Sequence, residues 1–272
     1  MSINLQKIAL IVGNGKFVKQ LILECKKKKV AFTVFAIKEF YDHASFYKPD
    51  YSISINKIGR IFKILKSEKI ENIIFLGGIK KPNILKLKPD LITLSYLIKI
   101  FFYYFKGDGV LLKKILLLFH NKGLKVIDAR KFLTKNIVKK KHNNLSRHKK
   151  TLSKDLAIQY FKKTKQFGNS DKGQAVIISN NKIILEEDKN GTDDLILRYD
   201  YAKYQAPSYL VKVSKPHQDL RIDLPSIGPD TIENIYKKNL SGIIVEADKT
   251  FIYAPEKVYK LVEKYNIIFY AL

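Results

Sequence analysis

Tryptophan is absent from this 272-residue chain, and there is one cysteine. A single Cys25 excludes an intrachain disulfide and a cysteine-built zinc cluster, and its place in an apolar helical pattern predicts a core filler. Arginine is scarce: of 51 basic residues five are Arg (60, 130, 147, 198 and 221) and 46 are Lys. Specific base reading favours the planar, bidentate fork of Arg, so the net charge of +26 does not point to sequence-specific DNA or RNA binding. Lys, Ile, Asn, Tyr and Phe share A/T-rich codons, and a genome bias accounts for their abundance. No apolar run reaches the roughly 20 residues that span a bilayer. The longest, 91–105 (LITLSYLIKIFFYYF), is interrupted by Lys99. It reads as a buried helix, with shallow contact at a membrane surface as the second reading. No secretory signal is expected either, since 8–12 is too short for a signal core and meets Gly13. The expected location is cytoplasmic, with peripheral contact at the inner membrane as an option. HExxH and an ordered Ser-His-Asp set are also missing.

What is present is enough hydrophobic residue, 46%, for two ordinary domains. The first half alternates strands and helices: strands at 8–12, 30–36, 72–76 and 125–127, helices at 16–28, around 58–65, and from Asp108 to about Asn121. That rhythm predicts an α/β fold with a parallel, Rossmann-like sheet over 1–132. Residues 133–151, rich in Lys, read as a solvated basic linker. The remainder, 152–272, predicts a mixed α/β domain. Helices are expected at 154–166, 192–204 and from Pro255, and another to about Asn239 opens on a capping box of Asp230 and Glu233. Strands are expected at 174–178 and 182–185 around an Asn180-Asn181 turn, then at 209–213, 242–245, 250–253 and 267–270.

Two kinds of loop carry chemistry. Gly13-Asn14-Gly15 follows a strand and opens a helix, where backbone N–H groups can meet phosphate. The dinucleotide fingerprint needs a further Gly near Val18 and an acid after the second strand, and neither is there. Gly77 and Gly78 make a second such loop, and the two would flank one crevice of a doubly wound sheet. The second half supplies turn-borne carboxylates, Glu187, Asp193 and Asp223, and Glu246 ends a strand. Mg²⁺ takes one or two carboxylates and completes its shell with water and phosphate oxygens. Lys212, Lys215 and Arg221 can clamp the phosphates, and Asp223 or Glu187 can hold the metal. His217 reads as incidental.

The ordered segments IALIVGNGKF (8–17), GRIFKILKSEKIENIIFLGGIKKPNILKLKPD (59–90), KGDGVLLKKIL (106–116), GQAVIISNNKIILEEDKNGTDDLILR (173–198), KVSKPHQDLRIDLPSIGPDTI (212–232) and GIIVEA (242–247) carry a specific resemblance. Together they resemble the UDP-2,3-diacylglucosamine pyrophosphatases of lipid A biosynthesis, the LpxI type, over nearly the whole chain. The resemblance implies two α/β domains holding a lipid-linked UDP-sugar between them. It implies Mg²⁺-dependent hydrolysis at the phosphorus nearer the sugar, giving UMP and 2,3-diacylglucosamine 1-phosphate. The DLPxIG aspartate falls on Asp223 as the key catalytic and metal-binding residue, and Glu187 falls beside it in both roles. Lys215 and Arg221 fall in the catalytic set. Gly13, Gly15, Gly77, Gly78, Gly191, Thr192, Asp193, Lys212 and Gln218 fall on substrate-binding positions. The aromatic-rich 96–105 stretch is expected either in an apolar acyl cleft or at a membrane, and a homodimer is an option. Two other classes compete: a basic nucleotide- or nucleic-acid-binding protein without turnover, against which the loop carboxylates argue, and a nucleotide-dependent oxidoreductase, against which the incomplete fingerprint argues.

Overall fold

The computed structural model describes residues 7–41, 47–79, 81–144, 152–169, 173–216 and 218–272. They form two compact units: Met1–Thr134 with Asp219–Ile222, and Lys135–Gln218 with Asp223–Leu272. His217 and residues 145–151 of the expected linker lie outside the described residues.

The first unit runs β1 (Ile8–Val12), α1 (Lys16–Lys27), β2 (Phe32–Ile37), β3 (Tyr51–Ile53), α2 (Arg60–Ser67), β4 (Asn72–Leu76), α3 (Leu91–Tyr104), α4 (Asp108–His120) and β5 (Lys125–Val126). Its sheet has the order β3-β2-β1-β4-β5, parallel throughout. Strands covered on both faces read as unbroken apolar runs, and IALIV of β1 is buried at every position. Ala9, Ile11, Phe35, Ile37 and Ile73 on one face pack with Ile61 and Leu65 of α2 and Phe119 of α4. Helix α1 buries Val18, Leu21, Ile22 and Cys25. Burial pushes the Cys25 thiol up to about 12, which keeps it out of thiolate chemistry.

The strand order reverses between β1 and β4, the place where open α/β sheets leave a crevice at their carboxyl ends. The loops after these two strands touch there. Gly13 N–H donates to Leu76 O at 3.1 Å, and Asn14 and Gly78 exchange backbone hydrogen bonds of 3.1 and 2.6 Å. A Cβ on Gly13 would stand 2.4 Å from Gly78 O, and one on Gly77, whose φ is +94°, would stand 2.8 Å from Asn14 O. Glycine is required at both by backbone meeting backbone, whatever ligand the loops contact.

Helix α3 departs from expectation. Asp90 caps it, accepting from Thr93 N–H at 2.8 Å, but Thr93 is its one buried residue. The helix is held by its polar side. Gly59 N–H donates to Thr93 Oγ1 at 3.0 Å, Tyr104 Oη donates to Pro82 O at 2.6 Å, and the Tyr96 ring packs at 4.9 Å on Phe62. Leu91, Leu94, Phe101 and Phe102 stay exposed, because a helix apolar on all sides can turn any side inward and the groups needing partners decide which.

The second unit runs α5 (Lys154–Gly168), β6 (Ala175–Ser179), β7 (Lys182–Glu186), α6 (Thr192–Leu197), α7 (Tyr201–Tyr204), β8 (Ser208–Lys212), β9 (Ser226–Ile227), α8 (Pro229–Lys237), β10 (Gly242–Val245), β11 (Phe251–Ile252), α9 (Pro255–Lys264) and β12 (Ile268–Ala271). Its sheet has the order β12-β10-β8-β6-β7; β8, β10 and β12 are parallel, and β6 is antiparallel to β7 and β8. The β6–β7 hairpin turns on Asn180 and Asn181, at φ 46° and 61°, as a two-residue turn with both centres left-handed requires. One face carries Leu210, Ile243 and Phe269 under α6, α8 and α9; the other carries Tyr209, Val211 and Ile244 under Tyr160 of α5.

Three local expectations differ. The helix expected over 192–204 is two short helices, because Asp200 starts a new one by accepting from Ala202 N–H at 3.0 Å. Helix α8 opens at Gly228 with Pro229 in its first turn, and Gly228 N–H donates to Thr231 Oγ1 at 3.3 Å, so Asp230 and Glu233 form no capping box. The basic stretch from Thr134, as far as Asn144, is not solvated along its length. Ile137 and Val138 are buried, Val138 N–H donates to Thr250 O at 3.0 Å, and Asn143 and Asn144 donate to Ala271 O and Ile267 O at 3.1 and 2.8 Å. An apolar pair and two amides outweigh the surrounding lysines.

Replacing Gly13 with Ala is expected to destabilise the protein by about 1–3 kcal/mol. Urea unfolding monitored by circular dichroism reads this directly, and an unchanged midpoint would contradict the close approach of the two loops.

Candidate functional site

In the second unit the polar side chains collect at the carboxyl end of β8 and β10. Strand β8 is buried along its length, so its last residue, Lys212, brings an ammonium inside. A buried ammonium is costly unless its donors are used and opposite charge is near. Lys212 Nζ donates to Thr192 Oγ1 at 2.8 Å and to Ser226 O at 2.9 Å. Burial, the largest influence, holds its pKa below the usual lysine value; the carboxylates of Glu187, Asp193 and Asp223 pull the other way. Three acidic residues from two distant segments thus act on one cation, and sequence spacing alone could not bring them together.

Glu187 follows β7. Its Oε2 accepts from Gln174 N–H at 2.7 Å and Ala175 N–H at 3.1 Å, and its Oε1 accepts from Thr192 Oγ1 at 2.5 Å. Expected as a metal ligand, it is buried with both oxygens held by protein donors. Its visible task is to fix Thr192, and through Thr192 the Lys212 ammonium. Gly191, at φ +88°, ends the Asp188 turn and leads into α6. Asp193 on α6 is exposed, and Asp223 is half-buried. Among the described residues no group of three or more His, Cys, Asp or Glu side chains is arranged to hold a metal ion. The residue types nevertheless suit Mg²⁺, which needs only one or two protein carboxylates; Asp193 and Asp223 are more accessible than Glu187.

The loop after β8 has its own anchor. Glu246, just past β10, accepts at Oε2 from Ser214 N–H (2.9 Å), Ser214 Oγ (2.8 Å) and Lys165 Nζ (2.6 Å), and at Oε1 from Lys249 Nζ (2.9 Å). Burial pushes the Glu246 carboxyl up, but the hydrogen bonds from Lys165, Lys249 and Ser214 together outweigh it and hold the pKa below its ordinary 4.5. Sequence reasoning missed Lys165 and Ser214: a lysine in the last turn of a helix and a lone serine carry no local signal. Beyond Ser214, Lys215 N–H donates to Gln218 Oε1 at 2.9 Å, so Gln218, expected at the substrate, closes its own loop. Arg221 makes a forked pair with Asp219, at 2.9 and 2.7 Å. Asp219–Ile222 belongs to the first unit while Asp223 belongs to the second. The remaining expected residues, Gly13, Gly15, Gly77 and Gly78, meet at the β1–β4 crest of the first unit.

A carboxylate with a lowered native pKa stabilises the fold above its unfolded value and loses that contribution as pH falls through the native one. Glu246→Ala is therefore expected to cost about 2–4 kcal/mol at pH 7 and to lose less on further acidification below pH 4.5 than the parent does. Urea unfolding at neutral and acid pH separates the two; parallel acid sensitivity would rule out Glu246 as the group.

Comparison with known proteins agrees with this division. A family model described as the LpxI N-terminal domain matches residues 7–136, and one described as the LpxI C-terminal domain matches 141–270. The UDP-2,3-diacylglucosamine pyrophosphatase LpxI of Caulobacter vibrioides is 27% identical over 265 residues, covering 93% of each chain. With both family domains in order along its length, the chain belongs to the LpxI family.

Proposed function

We propose that the protein hydrolyses the diphosphate of UDP-2,3-diacylglucosamine in lipid A biosynthesis, releasing UMP and 2,3-diacylglucosamine 1-phosphate. The observation that carries this reading is the convergence of Glu187, Asp193 and Asp223 on buried Lys212, in a chain with both LpxI domains. Carboxylates beside an anionic substrate repel it unless cations intervene, and a phosphoanhydride is split chiefly by neutralising charge and positioning water.

Asp223 and Asp193, which both act on the Lys212 ammonium, are the residues that would hold Mg²⁺. When bound, the ion neutralises phosphate oxygens and lowers the pKa of a coordinated water. Asp223 orients the water toward the phosphorus nearer the sugar. The new P–O bond forms there as the bond from that phosphorus to the bridging oxygen breaks, and UMP departs with that oxygen. Lys215 and Arg221 hold the diphosphate, Arg221 with its guanidinium already oriented by Asp219. Lys212 has at most one N–H left after Thr192 and Ser226, so its main part is to fix Thr192 and compensate the acidic cluster. The Gly13–Gly15 and Gly77–Gly78 loops, at the crest of a Rossmann-like sheet, are the proposed contact for the nucleotide. Peripheral attachment to the membrane carrying the lipid substrate belongs to the same reading.

Incubating purified protein with UDP-2,3-diacylglucosamine, with and without Mg²⁺, should release UMP only with the ion; no UMP under either condition would end the proposal. Asp223→Ala should retain substrate binding and lose turnover by about 10²-fold or more, the scale of a major electrostatic contribution. Normal turnover in that variant would remove Asp223 from the mechanism.

A further inference from the structure

We propose that the outer face of α3 is a docking surface for an anionic lipid bilayer. Leu91, Leu94, Ile98, Phe101, Phe102 and Phe105 are all exposed, Leu91 at 84%, Phe102 at 74% and Phe105 at 69%. At 3.6 residues per turn these six fall within an arc of roughly 100°, opposite Thr93, which is buried. The helix therefore turns hydroxyl groups toward the protein and bare hydrocarbon away from it. Water is the wrong medium for such a face, since an exposed stripe of Leu, Ile and Phe marks an interaction site.

Charge selects the occupant. From Lys81 to Lys125 the sequence has nine Lys and two acidic residues, Asp90 and Asp108. At the same helical spacing Lys99 falls about 60° past the stripe's edge, while the rings of Tyr96 and Tyr103, on the side of the helix away from the stripe, meet the ammonium groups of Lys99, Lys106 and Lys114 at 5.9, 5.9 and 4.5 Å. A lysine-rich segment that carries an apolar stripe suits a surface of acyl chains bordered by anionic headgroups. A second copy of a chain with net charge +26 would bring like charge to this segment. No helix among the described residues is long and apolar enough to cross a membrane, so α3 lies along the interface, its stripe dipping beneath the headgroups. The reading above contributes the purpose only, because a lipid-linked substrate resides in such a bilayer.

The test is co-sedimentation of the full chain with vesicles of phosphatidylcholine alone or with phosphatidylglycerol added, at low and high salt. The parent should bind the anionic vesicles, and less at high salt. Phe102→Asp with Phe105→Asp should weaken binding at least tenfold while thermal unfolding and turnover of detergent-dispersed substrate stay unchanged. Lys99→Gln with Lys106→Gln should weaken binding several-fold on anionic vesicles only. Equal binding by the Phe variant, or none by the parent, overturns the proposal. So does self-association lost in that variant without vesicle binding, which would assign the face to a second copy. Lost turnover in detergent with vesicle binding intact would assign it to the acyl chains of the substrate and also overturns it. Vesicle binding that depends on the stripe in a chain releasing no UMP would sustain the docking surface and sink the diphosphatase instead.

Discussion

Burying the Lys212 ammonium is the constraint on which the second unit depends. Strand β8 is central and fully covered, so a lysine at its end has no route to bulk water. Its charge is tolerable only because Thr192 and Ser226 take its donors and the carboxylates of Glu187, Asp193 and Asp223 favour it. Those requirements reach outward: Thr192 must be held by Glu187, and Glu187 by the backbone at the start of β6. A chain of hydrogen bonds thus runs from the start of β6 through the start of α6 to the end of β8, and the half-buried Asp223 is left at its border with water. A preorganised site of this kind does its ordering during folding, before any ligand arrives.

Glu246 solves the neighbouring problem. The loop bearing Lys215 and Asp223 leaves the sheet at Ser214, where its backbone would otherwise be free to swing. One carboxylate fixes both Ser214 groups and is itself compensated by Lys165 and Lys249. Such a network belongs to positioning: it sets where the loop begins.

Much was legible from local pattern. The apolar runs of β1, β4, β8 and β10 announced buried strands, and their alternation with helices announced the two α/β units. The Asn180-Asn181 turn followed from left-handed tolerance, whereas the close backbone approach that requires glycine at 13 and 77 appeared only in the structure. The misreadings share one cause. Helix α3 was expected to be buried because it is apolar, yet α3 shows that apolar content does not say which neighbour exists to cover it. The 134–144 stretch looked solvated because of its lysines, while Ile137, Val138, Asn143 and Asn144 decided its course.

The same division holds at the site. Asp223, Glu187, Lys212 and the glycine loops could be named from the sequence, since residue type and turn chemistry are local properties. What only the tertiary structure decided is their state: Glu187 saturated with donors, Lys212 sealed in, Gln218 closing its own loop, and Lys165 recruited from a distant helix. Burial and hydrogen-bond saturation are sums over neighbours far apart in the chain, and they exist only once the sheet has brought those neighbours together.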